Sequence, residues 1–323
     1  MRVFVTGAAG FIGSALIQQL RARGDEICAA VRDPDRARVL RDLGCRLVRT
    51  DLSSIAELTG LMTGSEAVIH AAGSYRVGIS TRERPAMDDS NVGASARVLA
   101  AAEAAGAARI VYVSTVGVFG NTRGEVVDES FRRDPARGFL SWYDETKYRA
   151  HLVAEERIAG GARIVIAMPG QVYGPGDHSA VGRQIEDAFR GRLAYLALTD
   201  VGICLVHVDD LAAGLLSALD RGRIGQAYVL DGAPVRLMDA LRIAARLGDR
   251  RLPSLSMPTR LLELMAPLSG LLGGRLGIPG DLAEVISAAD GVTYWASHAK
   301  ATAELGFDPR PLEAGLRDTF GVR

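Results

Sequence analysis

Residues 1–13 read MRVFVTGAAGFIG, and the setting of Gly7, Gly10 and Gly13 decides what the fold is. A β-branched run, RVFVT, stops at Gly7, and an amphipathic stretch opens near Phe11 and Ile12 and continues through GSALIQQLRARG. Strand, glycine turn and helix in immediate succession form the cradle of a dinucleotide pyrophosphate. Gly7 permits the tight turn, Gly10 lets the backbone approach the phosphates, and Gly13 lets helix and strand pack closely. The helix N-terminus adds unpaired N–H groups and a partial positive charge. The spacing is GxxGxxG instead of GxGxxG, so the glycines by themselves also suit a turn with no ligand.

The rest of the chain supplies the context. Short β-branched runs (EICAAVR, CRLVRTD, AVIHAAG, RIVYVST, ARIVIAMPG) alternate with Ala- and Leu-rich amphipathic stretches such as GASARVLAAAEAAG. That is the pattern of βαβ units around a parallel sheet. It predicts an α/β fold, a Rossmann-type doubly wound parallel sheet with a smaller C-terminal substrate lobe. The dinucleotide-binding domain is expected over 1–168 with contributions from about 203–232, where YVLDG returns to strand. The lobe is expected over 169–202 and 233–323, woven into the first domain.

Composition narrows the function classes. Lys plus Arg and Asp plus Glu are both 38 in 323 residues, so net charge points neither to nucleic acid nor to an anionic membrane. The N-terminal layout is not that of a signal peptide, and no run of about 18 apolar residues predicts a membrane span. Cys28, Cys45 and Cys204 lack ligand spacing, and the five histidines show no HxxxH or HExxH grouping. No metal is assigned, and a reducing, cytoplasmic setting is expected.

Candidate chemistry sits in YDETK, residues 143–147. Reduction of a carbonyl by hydride needs a proton donor at the oxygen, and Tyr143 and Lys147 share a helix face at i and i+4. The spacing predicts a tyrosine whose pKa the nearby ammonium lowers toward neutrality. A Ser-Thr pair, Ser114 and Thr115, closes a predicted strand upstream and offers a hydroxyl to the same substrate oxygen. Cofactor choice is read at the end of the second strand, AAVRDP. An NAD site places an acidic residue where this chain has Val31, and Arg32 follows it, which favours the 2′-phosphate of NADP. NAD stays possible because Asp33 lies next in line. Arg36 and Arg38 either close over the phosphate or are solvated charges.

TGAAGFIG resembles the cofactor loop of the extended short-chain dehydrogenases/reductases, the NAD-dependent epimerase/dehydratase family, and in particular its dihydroflavonol reductase-like branch. AAG at 71–73, VYVSTVGVFG at 111–120, YDETK at 143–147, PGQVYGPGD at 169–177 and VHVDDLAAG at 206–214 follow in the family's order. The resemblance implies a nicotinamide-dependent redox enzyme with Thr115, Tyr143, Lys147 and Asn91 as catalytic residues. Asn91 would order the active-site helix and its water, or be an ordinary helix cap. It implies cofactor contacts at Asp51 and Leu52 on the adenine side, at Ala71 and Ala72, and at Pro169 and Val172. It also implies a homodimer through helices 93–106 and 144–159. Val116 and Gly117 stand where dehydratases carry Asp-Glu, and Met168 and Gln171 replace the Arg and Asn of the epimerase pattern. The Leu- and Met-rich segment 257–280 resembles an apolar lid, or is a helix pair packed on the core. The leading reading is an NADP-dependent reductase or dehydrogenase acting on a carbonyl or alcohol of a small, fairly apolar substrate. A nucleotide-sugar epimerase and a cofactor-binding regulator are the alternatives.

Overall fold

The computed structural model describes residues 1–276 and 280–322. Its strands are β1 (Arg2–Thr6), β2 (Glu26–Val31), β3 (Arg46–Arg49), β4 (Ala67–His70), β5 (Arg109–Val113), β6 (Ile164–Pro169), β7 (Gln171–Tyr173), β8 (Gly202–His207), β9 (Ala227–Leu230) and β10 (Pro234–Arg236). The helices are α1 (Phe11–Ala22), α2 (Arg38–Asp42), α3 (Ile55–Met62), α4 (Arg84–Asp88), α5 (Ala94–Ala104), α6 (Trp142–Ala159), α7 (Ala180–Arg190), α8 (Val208–Arg221), α9 (Leu237–Leu247), α10 (Thr259–Leu276), α11 (Leu282–Ala289), α12 (Ala299–Leu305) and α13 (Leu312–Phe320).

Seven parallel strands form the main sheet in the order β3-β2-β1-β4-β5-β6-β9. Because side chains alternate along a strand, each strand feeds two cores. Val3 and Val5 join Ile69, Val111 and Val165 against α1 and α8. Phe4 joins Val68, Ile110, Tyr112 and Ile166 against α3, α5 and α6. Such two-faced burial explains why the strands read as continuous apolar runs, and it brings all their C-terminal ends to one edge, where ligands of doubly wound sheets bind.

A smaller three-stranded sheet, β10-β8-β7, forms the second lobe with α7, α9 and α13, whereas α12, expected in the lobe, packs Ala301 and Leu305 into the large core. Of residues 203–232, β8 pairs with β7 and β10 in this lobe, whereas α8 and β9 return to the large one. Segment 257–280, expected as an apolar lid or a helix pair, is over Thr259–Leu276 a single helix, α10, that contains Pro267. Leu262 of α10 packs on Leu282 and Ile286 of α11. Residues 277–279 of that segment lie outside the described residues. The helix expected from 93 begins earlier: α4, a π turn at Asp89–Gly93 and α5 are one helical run from Arg84. Among the described residues no helix is long and apolar enough to cross a membrane.

Candidate active site

The glycine loop is built as its spacing requires. Gly7 has φ +73, and a Cβ there would lie 2.6 Å from the Ala71 carbonyl carbon. A Cβ on Gly13 would sit 2.1 Å from the Gly7 carbonyl oxygen, so only glycine lets α1 press on the turn. No side chain of the described residues caps α1 at Gly10, which leaves the first-turn N–H groups of Phe11, Ile12 and Gly13 for an external acceptor. Bare helix terminus and close-packed glycines together fit a dinucleotide pyrophosphate. Ala71 and Ala72 line the same edge; the Ala72 N–H donates to Thr6 Oγ1 (3.4 Å).

At the ribose end β2 stops at Val31, and Arg32 stands exposed just beyond it with no ion-pair partner among the described residues. Asp33 is already engaged: it accepts from the Asp35 N–H (3.1 Å) and pairs with Arg36 (3.3 Å). Beyond β3, Asp51 accepts from the Ser53 N–H (2.9 Å), while the cap of α3 is Ser54, so Asp51 does not serve as that cap. Leu52 is held at φ +64, a backbone region that branched side chains rarely adopt. Its loop is fixed by the Arg97 Nε–H, which donates to the Leu52 carbonyl (2.7 Å).

The catalytic candidates converge at the end of β5 and the start of α6. Thr115 lies close enough to Tyr143 to act on its phenol, and its hydroxyl accepts from the Gly117 N–H (3.1 Å). Ser114, its neighbour, is buried and joined to His151 Nδ1 (2.9 Å), so Thr115 is the hydroxyl of the pair left on the side of the tyrosine. Lys147 is buried on the same helix and donates from Nζ to the Val113 carbonyl (3.1 Å). Burial lowers its pKa to about 8. The expected depression of Tyr143 is not found. Burial pushes its phenol well above the ordinary value, Tyr75 and Tyr112 add to the rise, and only the nearby Thr115 hydroxyl opposes it. Lys147 is committed to a backbone carbonyl and does not offset the desolvation.

Asn91 is not a helix cap. It lies buried inside the π turn, accepts from the Ser74 N–H (2.7 Å), and donates to the Ser74 carbonyl (3.1 Å) and to Thr146 Oγ1 on α6 (3.0 Å). The asparagine thus ties α6 to the loop after β4. Pro169 ends β6, and Val172 in β7 packs at the rim of the main core.

Three contributors were missed by sequence reasoning. His70 closes β4 and joins two ends of the site: its Nδ1 meets Thr6 Oγ1 (2.6 Å) and its Nε2 meets Ser95 Oγ (3.1 Å). Ser95 donates to the Asn91 carbonyl (2.6 Å), so His70 must donate from Nε2 and accept at Nδ1. Burial first, then Lys147, lowers its pKa to about 3. Tyr75 lies edge-on to Tyr143 with ring centroids 4.8 Å apart, and its hydroxyl donates to Gln171 Oε1 (3.2 Å) across the cleft. Glu284 reaches the same loop from the far lobe. The one available signal was the position of His70 and Tyr75 beside AAG at the end of a strand.

Elsewhere, the described residues place ligand atoms of His207, Asp209 and Asp318 within 4.8 Å of one another. His207 Nδ1 accepts from the Asp209 N–H (3.3 Å), which puts the ring proton on Nε2, and Arg310 pairs with Asp318 (2.7 Å). The Asp209–Asp210 pair does not cap α8, because His207 does; Asp210 instead binds Arg310 (2.7 Å) and joins the lobes.

A family model described as the NAD dependent epimerase/dehydratase family matches residues 3–231. The chain belongs to this family. Among its relatives is a 4-hydroxy-2-methyl-3-oxo-4-farnesyl-3,4-dihydroquinoline-1-oxide ketoreductase of Stigmatella aurantiaca, 34% identical over 75% of this chain and 72% of that protein. The solved structure of gox2253 superposes with a TM-score of 0.84 at 29% identity, covering 99% of this chain and 97% of that one. MoeE5 in complex with UDP-glucose and NAD gives 0.77 at 26% identity, covering 100% and 98%. The family member described here is an NAD(P)-dependent dehydrogenase/reductase of the extended short-chain type, and its cradle is that of a nicotinamide cofactor.

Proposed function

We propose that this enzyme is an NADP-dependent oxidoreductase that interconverts a carbonyl and an alcohol on a small, fairly apolar substrate. The observation that carries the reading is the convergence of Thr115, just past the end of β5, with Tyr143 and buried Lys147 on α6, whose ammonium is held to the β5 backbone at the C-terminal edge of the sheet that also bears the glycine cradle. The nicotinamide would supply hydride. Tyr143 holds the proton for the substrate oxygen, and burial keeps the phenol in the protonated form that a general acid needs. Thr115 orients the same oxygen. Lys147, whose burial lowers its pKa to about 8, would restore the proton balance behind the tyrosine and would hold the cofactor ribose when the nicotinamide is bound. Aromatic surroundings at Tyr75 and the farnesyl-bearing substrate named for the Stigmatella relative support an apolar substrate. Free Arg32, next to an Asp33 occupied by its own turn, supports NADP. Met168 is buried in the core where the epimerase pattern has arginine, which speaks against a nucleotide diphosphate anchor there.

The test is NADPH consumption with a panel of lipophilic ketones, by the wild type and Tyr143→Phe. Net consumption by the wild type is expected, with a loss of roughly 10²- to 10⁴-fold in the variant while NADPH affinity holds. Near-native turnover by a folded Tyr143→Phe enzyme refutes the mechanism, and isomerised product without net NADPH loss favours an epimerase.

A further inference from the structure

Helix α11 opens with Asp281 as cap and Glu284 three residues on, the spacing of a capping box, in which the glutamate would fold back onto the cap's own N–H. Here it does not. The Asp281 N–H donates to the Gly78 carbonyl (3.0 Å), and the Glu284 side chain, buried at 9% exposure, reaches out of its helix. One carboxylate oxygen accepts from the Gly78 N–H (2.6 Å), and the other accepts from the N–H of Trp142. Gly78 is thereby gripped on both of its polar groups. Trp142 is the first residue of α6, and its N–H is one that no intrahelical carbonyl can satisfy. A carboxylate at that point also complements the positive end of the helix. The grip is reinforced around Arg84, which pairs with Asp281 (3.6 Å), accepts the Trp142 indole N–H at its carbonyl (3.0 Å) and covers that ring at 5.3 Å.

The two segments held by this one carboxylate each carry a tyrosine of the site. Gly78 follows Tyr75, and Trp142 precedes Tyr143, and these two rings meet edge-on. We propose that Glu284 is the positioning residue for the Tyr75–Tyr143 pair, so that the C-terminal lobe sets the aim of the proton donor. It acts through two backbone amides, those of Gly78 and Trp142. The proposal rests on the reductase reading above.

The test uses the full-length enzyme with Glu284→Ala and Glu284→Gln, read by steady-state kinetics, NADPH titration and amide hydrogen exchange. Exchange should quicken in peptides covering 76–80 and 141–145, most in the Ala variant. Turnover should fall by about 10²-fold in Ala, the scale of a misplacement near 1 Å, and less in Gln, whose amide oxygen keeps one acceptor. KM and NADPH affinity should stay within about twofold, since the glycine cradle lies elsewhere. If Ala does not fold, Gln carries the test alone through the same split. Faster exchange with unchanged kcat overturns the positioning role, and unchanged exchange overturns the clamp itself. A wild type that reduces no carbonyl sinks the reductase reading instead, while exchange still decides whether the clamp exists.

Discussion

Replacing His70 by asparagine should flatten the acid side of the stability profile. The imidazole is fully buried and donates and accepts as a neutral ring, with a folded pKa of about 3 against an ordinary value of 6.5. Its folded value lies below its unfolded one, so the stability it contributes is complete above about pH 6.5 and is lost as pH falls toward 3. Within that window the unfolded chain takes up a proton that the native state refuses, at about 1.4 kcal/mol per pH unit. Between pH 7.5 and 5.5 the same relation gives a loss of about 1.4 kcal/mol, because most of the interval above 6.5 contributes nothing. Asparagine retains an acceptor toward Thr6 and does not titrate. Urea unfolding of both proteins at the two pH values isolates the term, since the other histidines cancel in the difference. The wild type should lose about 1.4 kcal/mol more than the variant over that interval. Equal losses would show that the ring is not held neutral and that the assigned direction of its hydrogen bonds is wrong.

Gly13→Ala drives a Cβ to 2.1 Å from the Gly7 carbonyl oxygen, so calorimetry should show little remaining NADPH binding and unfolding should show about 1–3 kcal/mol of lost stability. Intact binding would mean that the turn can shift without harming the cradle. For Arg32→Ala the preference for NADPH over NADH should fall roughly ten- to a hundredfold, the worth of one charge-assisted contact. An unchanged ratio in equilibrium titrations would move the determinant away from this residue.

How much was legible follows from distance along the chain. The glycine turn, the strand alternation and the Tyr143–Lys147 spacing are local patterns, and the sheet and cradle rest on them. Arg32 at the strand end was local too. The clamp was not: Gly78 and Glu284 are 206 residues apart, and nothing in either neighbourhood marks the other. Asn91 stayed open between a helix cap and a brace for the active-site helix because an asparagine before an Ala-rich run suits either; the π turn inside the Arg84–Ala104 run buries it, where it bonds to Thr146 on α6. The tyrosine's titration failed for another reason. Spacing gives the nearness of an ammonium but not the depth of burial, and depth decided the sign.

The course of β9 carries a consequence for synthesis. The chain completes β6 at Pro169 and then lays down β7, α7, β8 and α8 before β9 arrives to pair with β6 at the sheet's end. Roughly 60 residues separate the two partners, which at about 5–20 residues per second is some 3 to 12 seconds on the ribosome. Throughout that interval the nascent sheet ends in a fully apolar strand with open N–H and C=O groups, a template for pairing with a neighbouring chain. Slow decoding between codons 170 and 227 would lengthen the exposure, so aggregation of this enzyme during overexpression should respond to translation speed in that stretch more than to the stability of the finished protein.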